Sequence, residues 1–133
     1  MEKTVLLCDD DVYILRAAEI KLSRHGFKVI CAGDGQEAWE MIQMDLPDIV
    51  VTDCQMPRLN GLELTERVRT EMPTVDLPII MLTAKSYELN RDDLMNEWRV
   101  TAVLDKPFSP RRLVQLVEEV LGTPTQPETA ASC

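Results

Sequence analysis

Five short apolar runs recur along this chain of 133 residues, and stretches with helical patterning separate them. None of the runs alternates polar with apolar residues, which is typical of strands that are covered on both faces, as in a parallel sheet. Alternation of strand and helix five times predicts a single doubly wound α/β domain of the (βα)5 type with right-handed crossovers. The five runs lie at residues 5–8, 29–31, 49–51, 79–82 and 102–104.

The segments between the runs carry signals for the starts of helices. Asp34 with Glu37, and Asn60 with Glu63, have the spacing of a capping box. Ser109-Pro110 supplies a cap and a first-turn proline before an apolar stripe. These signals predict helices in the segments that follow the second, third and fifth runs.

Two stretches have weak or no apolar patterning. Residues 87–98 carry the weakest stripe of the five helical segments, although we still assign the fourth helix to them. From Gly122 onward the sequence GTPTQPETAASC has no apolar periodicity, which favours a disordered tail or a linker stub. We therefore expect one domain at residues 1–121 and a tail at residues 122–133.

The composition fits one globular domain and argues against several binding functions. Fourteen Lys and Arg against 23 Asp and Glu give a formal net charge of −9, which disfavours direct binding of nucleic acid or of an anionic membrane. No apolar run approaches the roughly 20 residues that span a bilayer, and the amino terminus has no signal-peptide pattern. We expect a cytoplasmic protein.

The cysteines and the single histidine point away from a zinc site and from His-dependent catalysis. Cys8, Cys31, Cys54 and Cys133 show no CxxC pair or metal-finger spacing, and we interpret them as structural or incidental. His25 ends a helical stretch and should be exposed. One histidine makes a Ser-His-Asp or Cys-His mechanism improbable.

Polar side chains follow four of the five apolar runs. Because ligands of open parallel sheets bind beyond the carboxyl ends of the strands, we expect these side chains to converge on one crevice. They are Asp9-Asp10-Asp11 after the first run, Asp53 after the third, Thr83 after the fourth and Lys106 after the fifth.

Asp9, Asp10 and Asp53 would place three carboxylates in this crevice. A like-charge pair at about 4 Å costs on the order of 4 kcal/mol at an effective dielectric constant near 20. Such a cluster must take up a proton, face water or bind a cation. Ligands that are all oxygen favour a hard ion, with Mg²⁺ the first candidate and Mn²⁺ acceptable.

The full set of side chains suits the making and breaking of an aspartyl-phosphate. A dication can hold a phosphoryl group in line with a carboxylate nucleophile, while Thr83 and Lys106 can donate hydrogen bonds to its other oxygens. Each residue alone has a simpler interpretation, since an acid pair can cap a helix and an Asp before Met-Pro can form a turn. The combination is the stronger signal.

Four stretches of the chain match a known pattern: VLLCDDD (5–11), IVVTDCQMPRLNG (49–61), PIIMLTA (78–84) and VLDKPF (103–108), with the DxxMPxxxG element at 53–61 the most specific. On these stretches the chain resembles the receiver domains of two-component response regulators over about residues 3–121. The resemblance implies a flavodoxin-like five-stranded parallel sheet with strand order 2-1-3-4-5, and a phosphoacceptor signalling switch that is not an enzyme beyond its own phosphoryl transfer and autodephosphorylation.

The same resemblance implies roles for the acidic residues. Asp53 is similar to the phosphoacceptor of the family. Asp10 and Asp53 would bind Mg²⁺ directly, the backbone carbonyl of Gln55 would be the third protein ligand, and Asp9 would act mostly through water.

Thr83 resembles the switch hydroxyl of the family, and Lys106 resembles the ammonium group that pairs with the phosphoryl group, with a cis Lys106-Pro107 peptide. The implied phosphoryl donor is a phosphohistidine on a sensor histidine kinase or on a histidine phosphotransfer protein. The implied output is an unidentified downstream protein or output domain, with the chain a monomer or a weak phosphorylation-dependent dimer.

The sequence departs from the family in one region, at Val103 and at Trp98-Arg99-Val100. Val103 stands where the family usually carries an aromatic residue or His, and residues 98–100 replace the usual Gly-Ala before the last strand. In the family, the face formed by the fourth helix and the fifth strand often carries the output, and both departures lie there. The departures therefore concern the partner and the manner of switching.

Two other functions remain alternatives for this architecture. A flavodoxin-like mononucleotide binder needs a Gly- or Ser/Thr-rich phosphate loop after the first strand, whereas residues 9–11 are three aspartates that would repel an anion. A phosphohydrolase with an aspartyl-phosphate intermediate resembles DxDx[TV] on the first strand, which residues 9–13 do not match.

Overall fold

The structure is a computed structural model that describes residues 2–84 and 99–122, so the predicted fourth helix at 87–98 and the tail from residue 123 lie outside it. The described part contains five strands and four helices. In chain order they are β1 (Thr4–Cys8), α1 (Val12–Arg24), β2 (Lys28–Ala32), α2 (Gly35–Met44), β3 (Ile49–Asp53), α3 (Gly61–Glu71), β4 (Ile79–Ala84), β5 (Ala102–Lys106) and α4 (Pro110–Leu121).

The five strands form one parallel sheet in the order β2-β1-β3-β4-β5. This confirms the expected strand order, and each predicted apolar run lies inside a strand. The register aligns Leu7 of β1 with Cys31 of β2 and with Val51 of β3. All five residues of β3 are buried, as expected for a strand at the centre of a doubly wound sheet.

Helices cover the sheet on both faces, and each face has its own apolar core. On one face, Leu22 of α1 packs with Leu113 and Val117 of α4. On the other face, Trp39 of α2 packs with Leu64 of α3. Burying one such side chain stabilises the fold by roughly 1.5–3 kcal/mol relative to leaving it exposed.

The predicted helix caps are present, one of them with a different partner. Asn60 and Glu63 form the full capping box, with reciprocal bonds of 2.8 and 3.0 Å between side chain and backbone N–H. Asp34 accepts from the Glu37 N–H at 2.8 Å, as predicted. The Glu37 carboxylate, however, accepts from the N–H of Gly33, at 2.9 Å.

The thiols and the histidine lie where the sequence places them. Cys8 is buried in the core and Cys31 is partly buried. Burial raises the pKa of the Cys8 thiol well above its ordinary value, so this group stays neutral and packs as a small apolar side chain. His25 is exposed at the carboxyl end of α1.

Within residues 2–84 and 99–122, no helix has the length and the apolar character needed to cross a bilayer.

Substitution of the fully buried Leu113 tests the core between α1 and α4. Leu113→Ala is expected to lower the free energy of unfolding by about 3 kcal/mol, because it removes buried methyl groups and leaves a cavity. The exposed Leu46 offers a matched control, and Leu46→Ala should change stability by less than about 1 kcal/mol. Urea unfolding measures both; equal losses would contradict the described core.

Candidate functional site

The carboxyl ends of β1 and β3 bring three carboxylates together. Asp9 and Asp10 follow β1, and Asp53 is the last residue of the neighbouring β3. One carboxylate oxygen from each of the three lies within 4.8 Å of the others. Asp9 and Asp53 are 1% and 7% exposed, whereas Asp10 is open to solvent. The predicted acidic cluster is therefore assembled.

Asp11 has a separate task, which leaves the other two acids of the run available. Its carboxylate caps α1 by accepting from the N–H groups of Tyr13 and Ile14, at 2.9 and 3.4 Å. The backbone N–H of Asp11 in turn donates to Asp9 Oδ1 at 2.9 Å. This bond orients the Asp9 carboxylate toward the crevice.

Lys106 joins two of the carboxylates. Its Nζ lies 2.9 Å from Asp9 Oδ2 and 3.2 Å from Asp53 Oδ2. Since β4 lies between β5 and β3, and neighbouring strands are about 4.8 Å apart, only a long side chain can make these contacts from the end of β5. The Lys106-Pro107 peptide is cis, as the resemblance implied.

The charges in the cluster do not balance. Three carboxylates and one ammonium group leave a formal charge of −2, which is the charge that one divalent cation neutralises. The donor atoms are all oxygen, the set that Mg²⁺ and Mn²⁺ prefer. Asp9, Asp10 and Asp53 therefore fit a site for a hard dication.

Burial and charge shift the pKa values of two groups in the cluster. Burial raises the pKa of Asp9 above its ordinary value, although the Asp11 N–H and Lys106 oppose the shift. For Lys106, burial alone would lower the pKa, but the hydrogen bonds and charges of Asp9 and Asp53 more than offset it and raise the pKa. Lys106 is therefore cationic at neutral pH.

Thr83 and Gln55, the other two predicted site residues, have different surroundings. Thr83 is buried near the end of β4, and its hydroxyl donates to the carbonyl oxygen of Ala84 at 3.3 Å. Gln55 is exposed, two residues beyond Asp53 in the loop between β3 and α3. The contact between Thr83 and Ala84 was not expected from the sequence.

Gly61 brings α3 directly against the phosphoacceptor candidate. Its N–H donates to the carbonyl oxygen of Cys54 at 3.0 Å. A Cβ at this position would lie 2.3 Å from the carbonyl oxygen of Asp53, so any larger residue would displace the end of β3. Close packing against β3 therefore explains why the last position of the DxxMPxxxG element is glycine.

Val103 lies on β5, the edge strand of the sheet, next to β4. Val103 packs against a small buried cluster of Cys54, Met81 and Val100. The backbone carbonyl of Arg99 accepts from the buried Arg69 of α3 at 2.8 Å. Of the second departure from the family, Trp98-Arg99-Val100, only Trp98 lies outside the described residues.

Comparison with known proteins identifies the family. The family model for the response regulator receiver domain matches residues 5–118. The alkaline phosphatase synthesis transcriptional regulatory protein PhoP of Bacillus subtilis (strain 168) is 36% identical over 121 residues, which are 91% of this chain and 49% of that protein. The phosphate regulon transcriptional regulatory protein PhoB of Pseudomonas aeruginosa is 37% identical over 119 residues, 90% of this chain and 52% of that protein. The chain thus spans about half the length of these curated relatives.

Solved structures of response regulators have the same fold as this chain. A response regulator from Chloroflexus aurantiacus J-10-fl superposes with a TM-score of 0.82 at 34% identity, covering 92% of this chain and 99% of that one. Chemotaxis protein CheY4 of Vibrio cholerae gives a TM-score of 0.80 at 28% identity, with 90% and 99% covered. The chain belongs to the response regulator receiver domain family. It is a signalling module of the phosphoacceptor-switch class found in two-component systems.

The raised pKa of Asp9 predicts how stability depends on pH without metal. The pKa of Asp9 is higher in the folded state than in the unfolded state, so the folded protein favours the protonated side chain. The resulting contribution to the free energy of unfolding is fully present below the ordinary Asp pKa of about 3.9, and it is lost as the pH rises through the folded-state pKa. Asp9→Asn stays neutral at every pH. Its stability relative to the unaltered chain should therefore increase with pH across this window.

Urea unfolding in EDTA between about pH 4 and pH 8 measures this difference. Asp45→Asn is the matched control for removal of a carboxylate, because Asp45 is exposed at the carboxyl end of α2, away from the cluster. A relative stability of Asp9→Asn that falls with increasing pH would contradict the prediction.

Proposed function

We propose that this chain accepts a phosphoryl group on Asp53, with Mg²⁺ bound beside it, and thereby switches a downstream partner. The observation that carries the proposal is the position of Asp53 at the end of β3, between Asp9, Asp10 and the ammonium group of Lys106. Asp53 is little exposed, yet its carboxylate faces a crevice with a formal charge of −2. A bound divalent cation would neutralise that charge and so allow a negatively charged phosphoryl group to approach Asp53.

Asp10, Asp53 and the backbone carbonyl of Gln55 would hold the Mg²⁺ ion, with Asp9 acting mostly through water. When bound, the ion supplies positive charge that offsets the charge on the phosphoryl oxygens. The protein supplies the nucleophile. One oxygen of Asp53 attacks phosphorus, the bond between phosphorus and the donor nitrogen breaks, and the electron pair stays on the donor imidazole.

Lys106 and Thr83 would stabilise the product. The Lys106 ammonium, 3.2 Å from Asp53 Oδ2, can transfer its hydrogen bond to a phosphoryl oxygen. Thr83 would exchange the Ala84 carbonyl for another phosphoryl oxygen, and this movement would change the start of the segment after β4. Val103 is short and restricted at χ1, so it cannot report the switch by a large side-chain rotation.

A phosphohistidine of a sensor histidine kinase or a histidine phosphotransfer protein would be the donor. An apolar cleft of about 400 Å³ beside Lys106 supports docking of a protein there. Tyr13, which lines this cleft, is 84% exposed. The chain would catalyse only its own phosphorylation and autodephosphorylation, and would not act on another substrate.

The output would lie in a separate protein or domain. The curated relatives are transcriptional regulators about twice as long as this chain, which supports a domain at residues 1–121 that a linker starting at residue 122 joins to an output domain. The net charge of −9 supports a module that does not itself bind nucleic acid or an anionic membrane, and we propose that it is cytoplasmic. The chain would be a monomer or a weak phosphorylation-dependent dimer.

Intact mass after incubation with acetyl phosphate and Mg²⁺ tests the proposal. The unaltered chain should gain the mass of one phosphoryl group, and Asp53→Asn should gain none, because the amide is not a nucleophile. Asp10→Asn is the control: it keeps the acceptor, so it should still be labelled but require more Mg²⁺. Labelling of Asp53→Asn on Asp9 or Asp10 at the unaltered rate would refute the assignment, and continuous turnover with no adduct would favour a phosphohydrolase.

A further inference from the structure

The loop between β3 and α3, residues 54–60, is attached to the amino end of α2 by a contact outside the carboxylate cluster. Arg58 Nη2 lies 3.0 Å from Asp34 Oδ1. The same oxygen accepts the N–H of Glu37 at 2.8 Å and so caps α2. One carboxylate oxygen therefore both starts a helix and holds the neighbouring loop.

The backbone at Arg58 has a conformation that L-residues rarely adopt. Its φ is 67°, and the N–H of Leu59 donates across it to the carbonyl oxygen of Pro57 at 2.8 Å. A three-residue turn with positive φ at its centre is rare and strained. Such a conformation persists where surrounding contacts hold it, and these sites concentrate near functional groups.

A second contact between the same two elements lies next to the first. A Cβ on Gly35 would lie 1.7 Å from the carbonyl oxygen of Leu59, so the loop backbone packs directly on the first turn of α2. The carboxyl end of the loop is held by the capping box of Asn60. Its amino end is held by the Cys54 N–H, which donates to the carbonyl oxygen of Leu82 at 2.8 Å.

Between these two fixed ends lie Gln55 and Arg58. We propose that Arg58 is a positioning residue: through its ion pair with Asp34 it holds the backbone of residues 55–59 in the arrangement that offers the Gln55 carbonyl to the metal. This inference rests on the proposed function, which makes that carbonyl a ligand. Arg58 is 60% exposed, so the effect is modest. We expect a change in Mg²⁺ affinity of about two- to fivefold, the range that exposed ion pairs span.

Four variants isolate the contact. Arg58→Gln removes the charge and keeps a long polar side chain. Asp34→Asn removes the opposite charge and keeps a good helix cap. The double variant removes both charges, and Arg58→Lys retains the positive charge. Arg24→Gln and Asp45→Asn are matched controls. Both residues are exposed, and they lie at the carboxyl ends of α1 and α2, whereas Asp34 lies at the amino end of α2.

Mg²⁺ affinity is measured by titration of backbone amide shifts. Arg58→Gln and Asp34→Asn should each weaken Mg²⁺ binding about two- to fivefold, and the double variant should be no weaker than the singles because all three lose the same contact. Arg58→Lys should recover part of the affinity, and both controls should match the unaltered chain. At saturating Mg²⁺ the maximal rate of labelling by acetyl phosphate should be unchanged, since the bound ion then holds the loop.

A second measurement does not depend on metal. In EDTA the amide shifts of residues 55–59 should change in Arg58→Gln and in Asp34→Asn, while the melting temperature stays close to that of the unaltered chain. Unchanged amides at 55–59, or variants that lose thermal stability but bind Mg²⁺ as tightly as the unaltered chain, would overturn the inference and indicate a purely structural ion pair. Failure of the unaltered chain to be labelled would instead count against the proposed function.

Discussion

The contact of Lys106 with Asp9 and Asp53 is the interaction on which the site depends. Two nearly buried carboxylates repel each other, and burial alone disfavours the ionised form of Asp9. A single ammonium group between them, at 2.9 and 3.2 Å, lets both lie in one crevice. Because the contact spans β4, it exists only if β3, β4 and β5 keep their order and register. The formal charge of −2 that remains beside Lys106 suits a dication, which neutralises it.

The fold keeps the rest of the crevice in place with backbone contacts. Asp11 takes the capping of α1, so Asp9 and Asp10 remain available. Gly61 lets α3 pack on the carbonyl of Asp53. Gly35 lets the loop between β3 and α3 pack on α2, through Leu59. The loop of residues 54–60 therefore links the first turn of α2 to the end of β3, where Asp53 lies.

Most of the architecture could be predicted because it follows from local patterns. The apolar runs, the cap of Asn60 and the exposed His25 all depend on near neighbours in the chain. The strand order came from the family resemblance and is confirmed. The contacts that could not be predicted are those between loops: the Arg58–Asp34 pair joins residues 24 positions apart, and nothing in the periodicity of either segment indicates it. The hydroxyl of Thr83 on Ala84 is a rotamer choice, which sequence patterns do not determine.

A crystal structure of the chain with Mg²⁺ and beryllofluoride would show whether Asp53 is the phosphoacceptor. We expect beryllofluoride bonded to a carboxylate oxygen of Asp53, with Lys106 Nζ and Thr83 Oγ1 within hydrogen-bonding distance of its fluorine atoms. Beryllofluoride bonded to Asp9 or Asp10, or an unmodified Asp53 with Lys106 still bridging the two carboxylates, would contradict it.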